Sequence, residues 1–269
     1  MINTAKELSE ACRKLATNYK TLYVLGCIGA PLNAANKERY SNNLSYNKRS
    51  DRIAKIQAAT ASTFGFDCVC MIKSLLWGWT GDTGHVYGGA KYASRGIPDI
   101  SANGMIEVCS EVSDDFSVLE EGEVLWKKDH IGVYIGDGLC VECVASWADG
   151  AQITAVHNIG KREGYNGRIW QKHGKLPYVT YEKGTEKEPE KAASPVPGLP
   201  VLKKGSNLAA AKALQLLLIG YGFPCGEAGA DGVFGWATDA ALRSYQSAND
   251  LVADGICGDN TWRKLLGMA

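Results

Sequence analysis

Residues 64–77 read Phe64-Gly65-Phe66-Asp67-Cys68-Val69-Cys70-Met71-Ile72-Lys73-Ser74-Leu75-Leu76-Trp77, and their reading decides the fold of the N-terminal part of the chain. Met71, Ile72, Leu75, Leu76 and Trp77 fall at the spacing of a buried helix. Asp67 is placed to cap its N-terminus. Cys68 then stands in the first turn, at the positive end of the helix dipole, where a thiol pKa falls and the thiolate is favoured. The competing reading is a structural cysteine, because free Cys is among the most buried residue types. Cys70 lies two residues on, about 200° away around a helix, so the two thiols do not share one site.

Outward from this helix the pattern is mixed. Thr4-Ala5-Lys6-Glu7 is a capping box, followed by Ala5, Leu8, Cys12 and Leu15 on one helical face. Leu22-Tyr23-Val24-Leu25 is a short apolar strand ending in Gly26. Residues 33–52 are polar and Asn-rich, which predicts a long surface excursion. A Gly-rich loop runs from about Gly84 to Gly96, and strands and turns follow from Val124 to about Trp170. A thiol nucleophile needs a base, and the four histidines are His85, His130, His157 and His173. His130 opens the apolar strand His130-Ile131-Gly132-Val133-Tyr134-Ile135, so regular backbone holds its ring.

The chain has 269 residues with 29 Lys+Arg against 29 Asp+Glu, and no basic block. That excludes a nucleic acid or an acidic membrane as the natural partner, while a polar polysaccharide stays open. No run of about 18 apolar residues predicts membrane insertion. The first residues lack the apolar run of a signal peptide, so synthesis and retention in a reducing cytoplasm are expected. The nine cysteines are an odd number, so at least one is not paired within the chain. A Cys225–Cys257 disulfide is geometrically possible and disfavoured by that compartment. Cys68, Cys70, Cys140 and Cys143 could in principle supply zinc, but strand alternation aims Cys140 and Cys143 at opposite faces. No metal and no cofactor are therefore expected. Trp77, Trp79, Trp147 and Trp170 could line a groove, although most tryptophans are largely buried.

Residues 182–200 read EKGTEKEPEKAASPVPGLP, a linker composition, which divides the chain into 1–180, a linker at 181–200, and 201–269. The last segment predicts three short helices, the first capped by Ser206 and carrying Leu208, Ala211, Leu214 and Leu218. It contains a repeat, Asp231-Gly232-Val233-Phe234-Gly235-Trp236-Ala237-Thr238 and Asp254-Gly255-Ile256-Cys257-Gly258-Asp259-Asn260-Thr261, both D-G-x-x-G-x-x-T. With Leu202-Lys203-Lys204-Gly205, Leu214-Gln215 and Tyr245-Gln246, this segment resembles the peptidoglycan-binding three-helix domain. The resemblance implies bacterial peptidoglycan as the partner.

Phe66-Asp67-Cys68 at a helix start, followed by His130-Ile131-Gly132-Val133-Tyr134-Ile135-Gly136-Asp137-Gly138, resembles the NlpC-type cysteine peptidases. Tyr23 and Gly26 resemble that family's Y-x-x-G segment, whose Tyr lies near the substrate. A third polar residue follows the His by twelve positions, here Glu142. The resemblance implies an α+β papain-like fold and a cysteine hydrolase cutting an amide of the peptidoglycan stem peptide. Cys68, His130 and Glu142 would be catalytic, and Tyr23 and Asp67 would contact substrate. Val69-Cys70 replaces the family's Ser-Gly, the stretch from Tyr23 to Cys68 is longer, and the Glu also resembles the CHAP amidases and peptidases. Both a stem-peptide endopeptidase and an N-acetylmuramoyl-L-alanine amidase therefore stay open, as does a non-catalytic wall-binding protein. A wall-binding and a wall-cutting part without a signal peptide suggest a phage endolysin that reaches the wall after release, or an autolysin exported by another route.

Hairpin geometry decides whether Glu142 can reach His130. A two-residue loop would pair Val133 with Glu142 and put the carboxylate on the wrong face. A three-residue loop, Gly136-Asp137-Gly138, would pair Gly132 with Glu142 and set the carboxylate diagonally beside His130. Two glycines in three residues favour the second.

Overall fold

A computed structural model describes residues 2–181, 199–206, 209–226, 228–252 and 254–268. The chain divides into two compact units, Met1–Glu182 and Lys183–Ala269. The expected linker falls almost wholly outside the described residues, as does Leu208. Among the described residues no helix is long and apolar enough to cross a membrane.

The first unit is mixed α+β. Helix α1 (Ala5–Asn18) starts on the expected capping box, with Thr4 Oγ1 accepting from the Glu7 N–H at 3.1 Å and Glu7 Oε2 accepting from the Thr4 N–H at 3.0 Å. Strands β1 (Thr21–Tyr23) and β2 (Ile28–Pro31) come next. The surface excursion expected over 33–52 is instead two helices, α2 (Ala34–Asn43) and α3 (Ser50–Ala58). Asn33 caps the first by accepting from the Asn36 N–H, and one buried apolar side chain per helix, Tyr40 and Ile56, anchors each to a small core with Val24, Cys27, Ala30 and Leu32. The apolar signal there is too sparse for a periodicity reading, and tertiary burial overrides it.

Strand β3 (Phe64–Phe66) pairs parallel to β1 and antiparallel to β2, and leads directly into α4 (Cys68–Leu76). After α5 (Ala102–Glu107) come β4 (Ser110–Ser113), β5 (Val124–Lys127), β6 (His130–Tyr134), β7 (Leu139–Val144), β8 (Gly150–Val156), β9 (Gly167–Arg168) and β10 (Lys172–Lys175). They form one sheet in the order β4-β10-β5-β6-β7-β8-β9, antiparallel except for the β8–β9 pair. Alternation along β6 and β7 turns Ile131, Val133, Val141 and Cys143 into the core shared with Leu8 and Leu15 of α1 and Met71 and Ile72 of α4. His130, Gly132, Cys140 and Glu142 take the alternate positions.

The second unit holds α6 (Ala209–Gly220), α7 (Trp236–Ala248) and α8 (Asp259–Leu265) around Leu202, Leu214, Leu218, Phe234, Tyr245 and Trp262. The two sequence repeats are two copies of one hydrogen-bond clamp. Buried Gln215 donates from Nε2 to Asp231 Oδ1, the Val233 carbonyl and Thr238 Oγ1, and its Oε1 accepts from the Gly232 N–H. Gln246 does the same with Asp254, Ile256, Thr261 and Gly255. Gly232 and Gly255 have φ of 84° and 70°, which is why glycine follows the aspartate in each turn. Cys225 and Cys257 are free thiols.

Two expectations follow. Replacing Gln246 by Leu strands the buried Gly255 N–H, so the C-terminal unfolding transition should lose about 1–3 kcal/mol in a denaturant titration. The second concerns His173, buried with Nδ1 2.6 Å from Glu123 Oε2. Burial pushes the imidazole down, but the hydrogen bond and charge of Glu123 and the Asp115 carbonyl carry it above its ordinary 6.5. A raised histidine stabilises the fold below its unfolded value and loses that contribution as pH rises through its folded value. Urea unfolding of the first unit should therefore show stability declining above about pH 6.5, and His173→Gln should flatten that slope.

Candidate functional site

Asp67 organises the N-terminal side of the site. Its Oδ1 accepts from the Cys70 N–H at 2.7 Å, capping α4, and its Oδ2 accepts from the Gly26 N–H at 2.8 Å, tying in the turn after β1. Both oxygens are thus engaged within the protein. The cap leaves Cys68 in the first turn of α4, which packs against β6, the strand that His130 opens. A cleft of about 500 Å³ opens here, lined among others by Tyr23, Gly26, Asp67, Cys68, Cys70 and Lys73. The Tyr23 ring stands edge-on to Tyr46 at 5.6 Å. On the far side, Asn103 of α5 donates to Asp129 Oδ1 at 2.7 Å and accepts from the Trp126 indole and the Asp129 N–H. That network holds Asp129 at a φ of 63° in the turn that leads into His130.

The expected depression of the Cys68 thiol is corrected by the structure. Cys68 is only 7% exposed, and burial, followed by the adjacent Asp67 carboxylate, pushes the thiol up to about 12. Backbone N–H groups of Ile131, Val69 and Cys68 itself oppose this and lose. The helix dipole argument takes no account of how much water the surrounding core removes. Cys70 is pushed well above its ordinary value by burial, then by Asp67.

The carboxylate arm follows the three-residue loop. Gly132 pairs with Glu142 and Tyr134 with Cys140, and the Leu139 N–H closes the turn on the Gly136 carbonyl. His130 Nε2 lies 2.6 Å from Glu142 Oε2. Thr154 Oγ1 donates to Glu142 Oε1 at 2.7 Å, and Arg168 Nε donates to Oε2 at 2.9 Å. Glu142 is wholly buried. Burial pushes its carboxyl up, but His130, Arg168 and Thr154 together hold it below the ordinary range. Two other polar side chains near the β7–β8 turn are engaged elsewhere, Asp149 with Arg52 and Lys55, and Gln152 with the carbonyls of Val144, Ser146 and Gly150. Of the remaining histidines, His173 is engaged with Glu123 and His85 with Asp82.

Two neighbours were not legible in sequence. Arg168 is 26 residues from Glu142 on a two-residue strand, and no local pattern marks it. Trp170 does not line a groove: it is buried and stacked on His130, with centroids 5.4 Å apart and planes 10° apart. Trp77 and Trp79 are likewise core residues, while Trp147 is 46% exposed.

Residues 207–265 match the peptidoglycan binding domain family. The chain is also similar to the zinc D-Ala-D-Ala carboxypeptidase of Streptomyces albus G, 42% identical over 64 residues, which are 24% of this chain and 25% of that protein. The chain thus spans about a quarter of the length of the relative it matches. No solved structure matches the chain. These findings make it a cell-wall-related protein that carries a peptidoglycan-binding domain.

They also correct one expectation. The sequence pointed to a cysteine hydrolase, whereas the relative is by name a zinc enzyme, a metallopeptidase, and the two classes conflict. The broader kind, a hydrolase of the peptidase type, is compatible with both. A zinc site would need three or four His, Cys, Asp or Glu side chains converging on one point. Among the described residues no group of three is so placed. The residues do not fit that metal, and no chemical step is derived through it.

Gly132 gives a direct check on the geometry. A Cβ there would meet the Val141 carbonyl at 2.9 Å, Trp170 at 3.2 Å and the Glu142 Cβ at 3.3 Å. Gly132→Ala should push Glu142 and Trp170 off His130. A shift of the His130 imidazole signals in an NMR spectrum measures it, with circular dichroism confirming that the variant is folded.

Proposed function

We propose that this chain is a hydrolase of the peptidase kind that cuts an amide bond in the stem peptide of bacterial peptidoglycan, held at its substrate by the C-terminal domain. The observation that carries the reading is His130, oriented by a buried carboxylate, on the strand that packs against α4, whose capped N-terminus holds a thiol beside a cleft. In this reading His130 takes and returns the proton, Glu142 fixes its ring, and Cys68 lines the cleft in which the peptide lies. The Cys68 and Val69 N–H groups at the N-terminus of α4 are suited to hold the scissile carbonyl oxygen. Tyr23 and Asp67 flank the bound peptide. The similarity of the Phe66-Asp67-Cys68 and His130 motifs to the NlpC type, with α4 packed on the sheet that bears His130, supports the same site. Joining such a site to a wall-binding module suits an endolysin, acting at the wall after release from the cell.

The test is a digest of purified walls with the full chain, read by mass spectrometry of the released muropeptides. New amino and carboxyl ends within stem peptides are expected, and a free lactyl group on muramic acid would instead give the amidase cut. His130→Ala should reduce release by at least about a hundredfold, the scale of losing a proton-transfer group. Walls bound but left uncut by the unaltered chain would make it a wall-binding protein only. Activity abolished by a chelator and restored by zinc, with Cys68→Ala fully active, would move the chemistry to the relative's kind.

A further inference from the structure

Glu142 poses an electrostatic problem that His130 alone does not solve. A carboxylate with no solvent contact stays ionised only beside a lasting positive charge, and otherwise takes up a proton. A histidine that moves a proton is cationic for only part of a cycle. The second partner on the same oxygen is Arg168, whose guanidinium keeps its charge at any working pH.

Its surroundings hold it there. The guanidinium carbon lies 5.2 Å from the Trp147 ring centre and 5.7 Å from that of Trp170. Arginine over an indole face is a favourable cation–π pair, and a planar group between two indoles loses little freedom when it binds a carboxylate. Trp170 is in turn the ring stacked on His130. The charged and polar groups that face Glu142 are His130 from β6, Arg168 from β9, Thr154 from β8, and the Cys140 thiol of its own strand. Arg168 is the only one of these with a permanent charge. Trp147, the exposed member of the pair, lies against the guanidinium.

We propose that Arg168 is a positioning residue of this site: seated between Trp147 and Trp170, it keeps Glu142 an ionised acceptor and fixes the oxygen that orients His130. The proposal rests on the reading that His130 moves the proton. Arg168 touches no reacting atom in this scheme. Its effect passes through Glu142, so it acts on turnover and leaves substrate affinity unchanged.

The experiment uses the full chain and a soluble muropeptide substrate. Arg168→Ala should lower kcat by about ten- to a hundredfold with KM within about twofold, the cost of a misplaced proton-transfer group. Arg168→Lys restores the charge but not the planar contact and should fall between. Methylguanidinium added at millimolar concentration should restore part of the Arg168→Ala activity and none of the His130→Ala activity. Trp147→Ala should show a smaller loss of the same kind, unaffected by methylguanidinium. An Arg168→Ala enzyme with unchanged kcat, or one whose loss resists methylguanidinium while its thermal midpoint falls, would overturn the positioning role. A fully active His130→Ala enzyme would instead overturn the functional reading beneath it, so the two failures are separable.

Discussion

The candidate site depends on the register of one antiparallel pair, β6 with β7. Side chains on a strand alternate faces, so a slip of a single residue would carry Glu142 to the face of Ile131 and Val133 and into the apolar core. The three residues of the turn, Gly136, Asp137 and Gly138, all take positive φ, at 83°, 54° and 74°. Glycine reaches that region at no steric cost and aspartate tolerates it better than most. Local turn chemistry therefore sets a contact twelve residues apart in the chain. From that contact follow the orientation of His130, the need for Arg168 and Thr154 around the carboxylate, and the absence of a side chain at Gly132.

The other half of the site obeys a different constraint. Asp67 spends one oxygen on the helix cap and the other on the Gly26 N–H, so the same carboxylate positions Cys68 and the turn after Tyr23. The price is a negative charge next to a thiol already removed from water. Both effects raise the thiol, and the helix N-terminus does not offset them. A dipole argument made from sequence treats the helix as though it stood in solvent. Within a packed unit, desolvation is the larger effect.

The wall-binding unit shows how a short repeat is turned into structure. The aspartate and threonine of each D-G-x-x-G-x-x-T copy accept from the side-chain amide of a glutamine on the preceding helix, whose carbonyl oxygen accepts from the glycine N–H of the same copy. A small three-helix unit has little apolar surface to bury, and two fully satisfied buried clamps compensate by making each turn conformation specific.

Much of this was readable in the residues themselves. The capping box at Thr4, the cap at Asp67, the buried helix after it, the turn at Gly136–Gly138 with its consequence for Glu142, and the repeat of the last segment all depend on neighbours within about a dozen positions. Local rules of backbone conformation and periodicity reach that far. Other features were decided only in three dimensions. Helices α2 and α3 exist because Tyr40 and Ile56 find a distant core. Arg168 reaches Glu142 because β9 closes the sheet beside β8, and Trp170 lies under His130 for the same reason. The neutral, buried state of Cys68 comes from packing against β6. Burial and long-range charge contacts are properties of the assembled core, and no stretch of sequence carries them alone.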